Sequence, residues 1–238
     1  NQKVMTESGI EVDYDQCIFA TGSKAFVLPI QGSDFPSVIG WRTIDDTKRM
    51  MEIAKSKKHA IVIGGGLLGL ECARGLLDQG MEVTVIHLAE WLMEMQLDAK
   101  AGQMLKADLE KQGMNFELQA NTKEILGEED VEAVRLADGR VLEADLVVMA
   151  VGIRPYTELA KQSDLEVNRG IVVNDMMQTS DPNIYAVGEC AEHQGKVYGL
   201  VAPLYEQGKV LADYLTDNDT EGYKGSTTFT SLKVSGCD

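Results

Sequence analysis

The residues whose types and spacing most clearly indicate a binding site are three glycines. Gly64, Gly66 and Gly69 have the spacing G-x-G-x-x-G, directly after residues 59–63 (H-A-I-V-I), which are typical of a strand. In a dinucleotide-binding loop the first glycine permits a tight turn, the second lets the backbone approach a pyrophosphate, and the third lets a helix pack closely on the strand. The helix that follows offers unpaired N–H groups and the positive end of its dipole to the anion. The residues of this loop expected to bind a dinucleotide are Gly64, Gly65, Gly66, Leu67, Leu68 and Gly69.

The choice between NAD and NADP depends on the end of the next strand. The ribose of NAD is usually bound by an acidic residue about 20 residues after the loop. Here the residue at the strand end is His87, and no arginine stands nearby to take a 2′-phosphate. A neutral histidine can hydrogen-bond a hydroxyl, whereas a protonated one favours the phosphate. We therefore expect the ribose at His87 and favour NAD(H), while NADP(H) is not excluded.

Glu71 follows the last of these glycines by two residues and is the candidate catalytic residue. One interpretation makes it an acid near the start of a helix, where it stabilises the helix dipole. The other interpretation places it near a nicotinamide ring. The sequence favours neither.

The elements that must position these residues form a strand–helix–strand unit. Residues 59–63 predict a parallel strand, residues 67–79 a helix, and residues 82–88 a second strand, which is the pattern of a βαβ unit. Leu68, Cys72, Leu76 and Leu77 share a stripe of the predicted helix. A second helix over residues 98–112 and short strands near residues 115–118, 122–126, 131–136 and 141–142 follow, the last two joined by an Asp-Gly turn. The sequence therefore predicts an α/β domain with an antiparallel flap.

Three short apolar runs end in a small residue and a glycine. They are residues 18–22, 147–152 and 184–188, and each predicts a buried strand. A glycine at a strand end permits a sharp turn or the close approach of a ligand. One copy is explained by turn chemistry alone, but three copies favour a ligand lying across several strand ends.

The composition is that of a globular chain and excludes several kinds of partner. The 238 residues include 22 Lys and Arg against 38 Asp and Glu, a formal net charge of −16. This charge argues against nucleic acid and anionic membranes, which repel it. The longest apolar and glycine run, residues 60–70, is shorter than a membrane span. Residues 1–20 show no signal peptide, so a cytoplasmic location is expected, and a homo-oligomer is left open.

Four cysteines are spread along the chain at Cys17, Cys72, Cys190 and Cys237. They contain no C-x-x-C pair, so reduced thiols are favoured over a disulfide framework. Cys190 and His193 are three residues apart but have no second ligand pair. A zinc site is therefore not expected.

Together the motifs resemble the FAD-dependent pyridine-nucleotide oxidoreductases. The similar segments are Tyr14-Asp15 with residues 20–23 (A-T-G-S), Arg42-Thr43 with Asp45, residues 64–71, residues 152–155 (G-I-R-P) and residues 179–189 (T-S-D-P-N-I-Y-A-V-G-E). Trp41 and Tyr156 depart from the Leu and Asn of the family pattern. The family's first FAD motif, a G-x-G-x-x-G on the first strand, is missing.

The resemblance implies a domain plan and a flavin site. A Rossmann-like NAD(P)-binding domain over residues 45–158 is inserted into a partial FAD-binding α/β domain over residues 1–44 and 159–216, with a linker over residues 217–238. The implied nicotinamide contacts are Glu71, Val151 and Gly152. The implied flavin contacts are Thr21, Gly22, Arg42, Gly188, Glu189, Pro203, Leu204 and Tyr205.

Within the family the resemblance is strongest to the large subunits of NAD(P)H-dependent nitrite reductases. It is carried by residues 86–88 (I-H-L) with residues 91–93 (W-L-M), by Gly188-Glu189-Cys190 and by residues 198–207. This implies that NADH gives hydride to FAD, and that electrons pass to iron–sulfur and sirohaem centres or to a small subunit. Four cysteines without cluster spacing do not hold such a centre. The chain is therefore expected to be a fragment that lacks the domains carrying those centres.

Two other functions stay open. The chain could be a module that binds NAD(H) without turnover, which the missing first FAD motif favours. It could also be part of a reductase with another acceptor, such as an NADH:rubredoxin reductase or an NADH oxidase.

Overall fold

The computed structural model describes residues 2–234, which divide into two compact units. The flanking unit comprises residues 2–24 and 153–230, and the central unit comprises residues 25–152 and 231–234. The helices are α1 Ile44–Ala54, α2 Leu67–Asp78, α3 Ala99–Lys111, α4 Glu158–Gln162 and α5 Val201–Leu215. The strands are β1 Lys3–Met5, β2 Glu11–Asp13, β3 Cys17–Phe19, β4 Ser23–Ala25, β5 Val38–Gly40, β6 His59–Ile63, β7 Glu82–Ile86, β8 Asn115–Glu117, β9 Thr122–Leu126, β10 Ala133–Leu136, β11 Val141–Glu143, β12 Leu146–Met149, β13 Ile153–Pro155, β14 Ile171–Val173, β15 Ile184–Ala186 and β16 Ala191–His193.

A five-stranded parallel sheet forms the centre of the central unit. Its order is β5-β12-β6-β7-β8, and every neighbouring pair is parallel. The inner strands β6 and β12 are apolar and buried except at His59, the first residue of β6, as expected of a parallel sheet that is covered on both faces. The flap is the antiparallel sheet β11-β10-β9. The predicted α/β fold class with a βαβ unit and an antiparallel flap is confirmed.

Helix α2 connects β6 to β7 and carries the glycine loop at its N-terminus. Its buried stripe runs through Gly69, Ala73 and Leu76. Leu68 was expected on the buried stripe, but 48% of its surface is exposed. This expectation is wrong because Leu68 lies at the edge of that stripe rather than at its centre.

The flanking unit is built from short paired strands and α5. β3 pairs with β15 and β14 pairs with β16, both in parallel, while β1 and β2 form an exposed antiparallel hairpin. β4 and β13 form a further two-stranded sheet. The core of the unit gathers residues from both sequence segments, including Ile171, Ala186 and Cys190 with Cys17 and Phe19. Neither segment of this unit therefore builds the core alone.

The boundaries between the units differ from the expected ones at 44/45 and 158/159. They fall after Lys24 and after Gly152. Residues 25–44 belong to the central unit because β5 is an edge strand of its sheet and the carboxylate of Asp130 binds the N–H and hydroxyl of Ser37. These contacts are distant in sequence, so local patterns do not reveal them.

The C-terminal segment expected to be a linker is mostly exposed as far as it is described, but two of its residues are buried. Tyr223 is buried in the core of the flanking unit, and Val234 is buried in the core of the central unit. Both are apolar side chains that leave water by packing there. Within residues 2–234, every helix is too short or too polar to cross a bilayer.

Candidate functional site

The first and third glycines of the loop are required by the fold. Gly64 has a φ of +118°, and a Cβ added to it would lie 2.4 Å from the carbonyl oxygen of Ala150. A Cβ on Gly69 would lie 1.8 Å from the carbonyl oxygen of Gly64. Helix α2 thus packs against the turn that begins it, and only a residue without a side chain fits there.

Gly66 is different, because its environment is open. Among residues 2–234, no atom lies within 4 Å of the position that a Cβ would take, and Gly66 is the N-cap of α2 without a side-chain capping bond. The first N–H groups of a helix lack partners within the helix and carry its positive dipole end. This arrangement leaves the N-terminus of α2 accessible to an anion.

A cavity of about 430 Å³ lies beside this helix terminus in the central unit. Its lining includes the glycine loop, the ends of β6, β7 and β12, and residues of the flap: Phe26, Leu28, Ile63, Gly64, Gly65, Gly66, Ile86, His87, Leu88, Glu94, Ala120, Asn121, Thr122, Ala150 and Val151. The hydroxyl of Thr122, a residue only 6% exposed, has no hydrogen-bond partner among the described residues. A buried hydroxyl without a partner is costly unless a ligand or water meets it. The polar lining residues Glu94 and Asn121 fit a ligand with polar groups.

His87 connects the glycine loop to a carboxylate. The backbone N–H of Gly65 donates to His87 Nδ1 at 3.0 Å, and His87 Nε2 lies 2.9 Å from Glu94 Oε2. Because Nδ1 accepts a hydrogen bond, the ring proton of the neutral histidine is on Nε2, which donates to Glu94. Both ring nitrogens are occupied, so the expected contact of His87 with a ribose is not open in this geometry. Glu94 is the polar group that the pair presents to the cavity.

Glu71 lies at a second cavity of about 180 Å³, lined by residues of α1 and α2 together with Trp41. Its Oε1 accepts the backbone N–H of Lys233 at 3.0 Å. The first turn of α2 contains no acidic residue, so Glu71 stands beyond the positions where a carboxylate stabilises the dipole most. The nicotinamide contact of Glu71 stays a prediction.

The residues expected to bind flavin at strand ends lie in the flanking unit. In the described part of the chain, Gly22 and Gly188 have no atom within 4 Å of a Cβ position, so a ligand can approach their backbone. The N–H of Gly188 donates to the buried amide of Gln207, which fixes this turn. Glu189 is buried and accepts the hydroxyl of Ser23 at 2.7 Å. The open backbone at Gly22 and Gly188 leaves room for FAD, and the buried carboxylate of Glu189 can accept a hydrogen bond from a ribityl hydroxyl.

The remaining flavin candidates have mixed environments. Thr21 donates its hydroxyl to the carbonyl of Tyr156. In α5, Pro203 is buried, Leu204 is half-buried and Tyr205 is 76% exposed. Arg42 belongs to the central unit, where its N–H donates to Asp46.

The described cysteines form no disulfide and belong to no metal site. Cys17, Cys72 and Cys190 are unpaired, and Cys237 lies outside the described residues. Burial raises the pKa of the Cys72 thiol to about 12, so its thiolate does not form near neutral pH. No group of His, Cys, Asp and Glu in residues 2–234 could hold a metal ion.

Sequence reasoning missed Glu94 and Thr122. Glu94 comes seven residues after His87 and beyond the end of the strand. The strand ends in a histidine where an acidic residue is usual, and this could have directed attention to the next carboxylates in the sequence, Glu90 and Glu94. Thr122 carries no sequence signal, because only the fold of the flap brings it to the cavity.

Comparison with known proteins identifies the family of the chain. The family model described as pyridine nucleotide-disulphide oxidoreductase matches residues 1–208. The chain belongs to the pyridine nucleotide-disulphide oxidoreductase family. The family resemblance inferred from the motifs is thereby confirmed.

Individual relatives are also similar along the whole chain. A nitrite reductase [NAD(P)H] of Bacillus subtilis is 58% identical over 100% of the chain, which covers 30% of that protein. An assimilatory nitrate reductase electron transfer subunit of the same organism is 50% identical over 100% of the chain, which covers 31% of it. The chain thus spans about a third of the length of these curated relatives.

Among solved structures, a ferredoxin reductase from Rhodopseudomonas palustris superposes with a TM-score of 0.88. It is 31% identical, and the match covers 95% of this chain and 57% of that one. The Rossmann-like α/β fold class predicted from the sequence is confirmed by this likeness.

Proposed function

We propose that this chain is the NAD(P)H-oxidising segment of a flavoprotein, which binds NADH in the central unit and passes its hydride to FAD. The observation that carries the proposal is the open N-terminus of α2 at Gly66, which borders the 430 Å³ cavity. This is the arrangement that binds the pyrophosphate of a dinucleotide.

The protein's own residues supply binding and orientation. The N–H groups at the start of α2 hold the pyrophosphate, and Val151 with Gly152 at the end of β12 is the proposed place of the nicotinamide. The backbone of Gly22 and Gly188 and the carboxylate of Glu189 are the proposed flavin contacts. FAD, when bound, supplies the ring that accepts hydride from NADH, while the protein positions and tunes it.

For the longer protein, we favour the large subunit of a nitrite reductase. Its support is the 58% identity to a nitrite reductase, against 35% to a rubredoxin-NAD(+) reductase of Pseudomonas putida. In this proposal the electrons leave FAD for an iron–sulfur and sirohaem acceptor, or for a small subunit, outside the chain. A cytoplasmic location belongs to the same proposal.

The test is anaerobic addition of NADH to the 238-residue chain after incubation with FAD. We expect the chain to retain flavin through gel filtration and the visible flavin band to bleach when NADH is added. Binding of NADH without flavin retention or bleaching would instead support the module that binds dinucleotide without turnover. A folded chain that does not bind NADH would refute both.

A further inference from the structure

We propose that Glu94, held in place by His87, binds the adenosine ribose and selects NADH against NADPH. This inference rests on the proposed function, since it names the specificity of the same dinucleotide site. It moves the ribose contact from the strand end to a residue seven positions further along.

The first support is the geometry of the pair. The imidazole of His87 is fixed at one nitrogen by the N–H of Gly65, 3.0 Å away, and donates from the other to Glu94 Oε2, 2.9 Å away. The ring therefore links the backbone of the glycine loop to a carboxylate. The carboxylate of Glu94 therefore has a fixed position relative to a ligand whose pyrophosphate lies on that loop.

The second support is the state of the carboxylate. Glu94 Oε2 is bound by His87, while Oε1 has no hydrogen-bond partner among residues 2–234. The side chain is 35% exposed and lines the cavity. One oxygen thus fixes the side chain, and the other can accept a hydrogen bond from a hydroxyl of the ligand.

The third support is the charge of the cavity wall. Among the described residues that line the cavity, Glu94 is the acid and none is Lys or Arg. A ribose 2′-hydroxyl is a good donor to Glu94, whereas a 2′-phosphate brings a second negative charge to a wall without a cation. The same side chain therefore attracts NADH and repels NADPH.

His87 is a positioning residue in this arrangement. Its Nδ1 bond to Gly65 fixes the tautomer, and its Nε2–H fixes Glu94. A His–Glu pair thus binds the ribose, which is usually the role of a single acidic residue at the strand end.

The experiment measures the dissociation constants of NADH and NADPH for the 238-residue chain, its Glu94→Gln variant and two companions. Glu94→Gln keeps the shape and an acceptor oxygen but removes the charge. Glu90→Gln removes the same charge from an exposed residue of the same segment that does not line the cavity. His87→Asn places an amide near the Nδ1 position, where it can still bind Gly65, but is too short to reach Glu94.

We expect the wild-type chain to prefer NADH, and Glu94→Gln to lower the ratio of the NADPH to the NADH dissociation constant by about tenfold or more. Glu90→Gln should change this ratio by less than about twofold, because an exposed charge is screened. His87→Asn should lower the ratio in the same direction but less, a change in selectivity that a purely structural histidine would not cause.

Two results separate the possible failures. If the folded wild-type chain binds neither nucleotide, the proposed function fails. If it binds NADH but Glu94→Gln leaves the ratio unchanged, or Glu90→Gln lowers it equally, the assignment of Glu94 is wrong while the dinucleotide site stands.

Discussion

Replacing Gly69 by alanine tests the packing that holds the glycine loop in place. The new Cβ would lie 1.8 Å from the carbonyl oxygen of Gly64, whereas real Cβ atoms essentially never approach another atom within 3.0 Å. The obstacle is backbone, which cannot rotate away as a side chain does. Helix α2 must therefore move away from the loop, and the loop must change with it.

The expected cost follows from this overlap. Overpacking of a well-packed site costs about 1–3 kcal/mol, and alanine gains about 0.5–1 kcal/mol over glycine within a helix. Because so close an approach to backbone places the overpacking cost near the upper end of its range, we expect Gly69→Ala to lower the free energy of unfolding by about 2 kcal/mol. Gly75→Ala is the matched control, because Gly75 lies on the same helix with no atom within 4 Å of its Cβ position. It should raise the free energy of unfolding by about 0.5–1 kcal/mol.

Urea unfolding followed by tryptophan fluorescence is a suitable assay. The only tryptophans, Trp41 and Trp91, both lie in the central unit, so their emission reports on the unit that contains α2. We also expect Gly69→Ala, but not Gly75→Ala, to weaken NADH binding. A Gly69→Ala chain as stable as the wild type, or a Gly75→Ala chain destabilised equally, would refute the close packing of α2 on Gly64.

Three further outcomes are expected. Gly66→Ala should lower the free energy of unfolding by less than about 1 kcal/mol in the same urea assay, because its Cβ enters open space at an N-cap. Burial tends to raise the pKa of Asp130, but hydrogen bonds from Ser37 and Val131 outweigh it and hold that pKa below its usual value. Asp130→Asn should therefore lower the free energy of unfolding by about 1 kcal/mol at neutral pH. The difference between the urea midpoints of the wild type and the variant should become smaller as the pH falls through the lowered pKa of Asp130. The Cys72 peptide should stay unmodified by thiol reagents in the folded chain and react after denaturation, as mass spectrometry would show.

Much of the fold could be predicted because its signals are local. The strand His59–Ile63 and the helix that begins at Leu67 follow from an apolar run, a glycine loop and helical periodicity. The flap followed from short alternating strands and an Asp-Gly turn. In each case the residues that determine the element are neighbours in sequence.

Other features could not be predicted because they depend on contacts between distant residues. The boundary after Lys24 requires the pairing of β5 with β12, and the burial of Thr122 requires the fold of the flap. The pairing of His87 with Glu94 depends on an irregular segment in which Leu92 packs close to Gly65. A rule based on residue types at fixed spacing places the ribose at His87 and cannot reveal that its ring is occupied.

The central claim is that the N-terminus of α2 binds the pyrophosphate of NADH. Calorimetric titration of NADH into the wild-type chain and into Gly66→Ala tests it most directly, because that Cβ enters the space left for the ligand and touches nothing else. We expect one binding site in the wild type and at least about tenfold weaker binding in the folded variant, a loss of about 1.4 kcal/mol. Equal affinity in the two proteins, or no binding to the wild type, would contradict the claim.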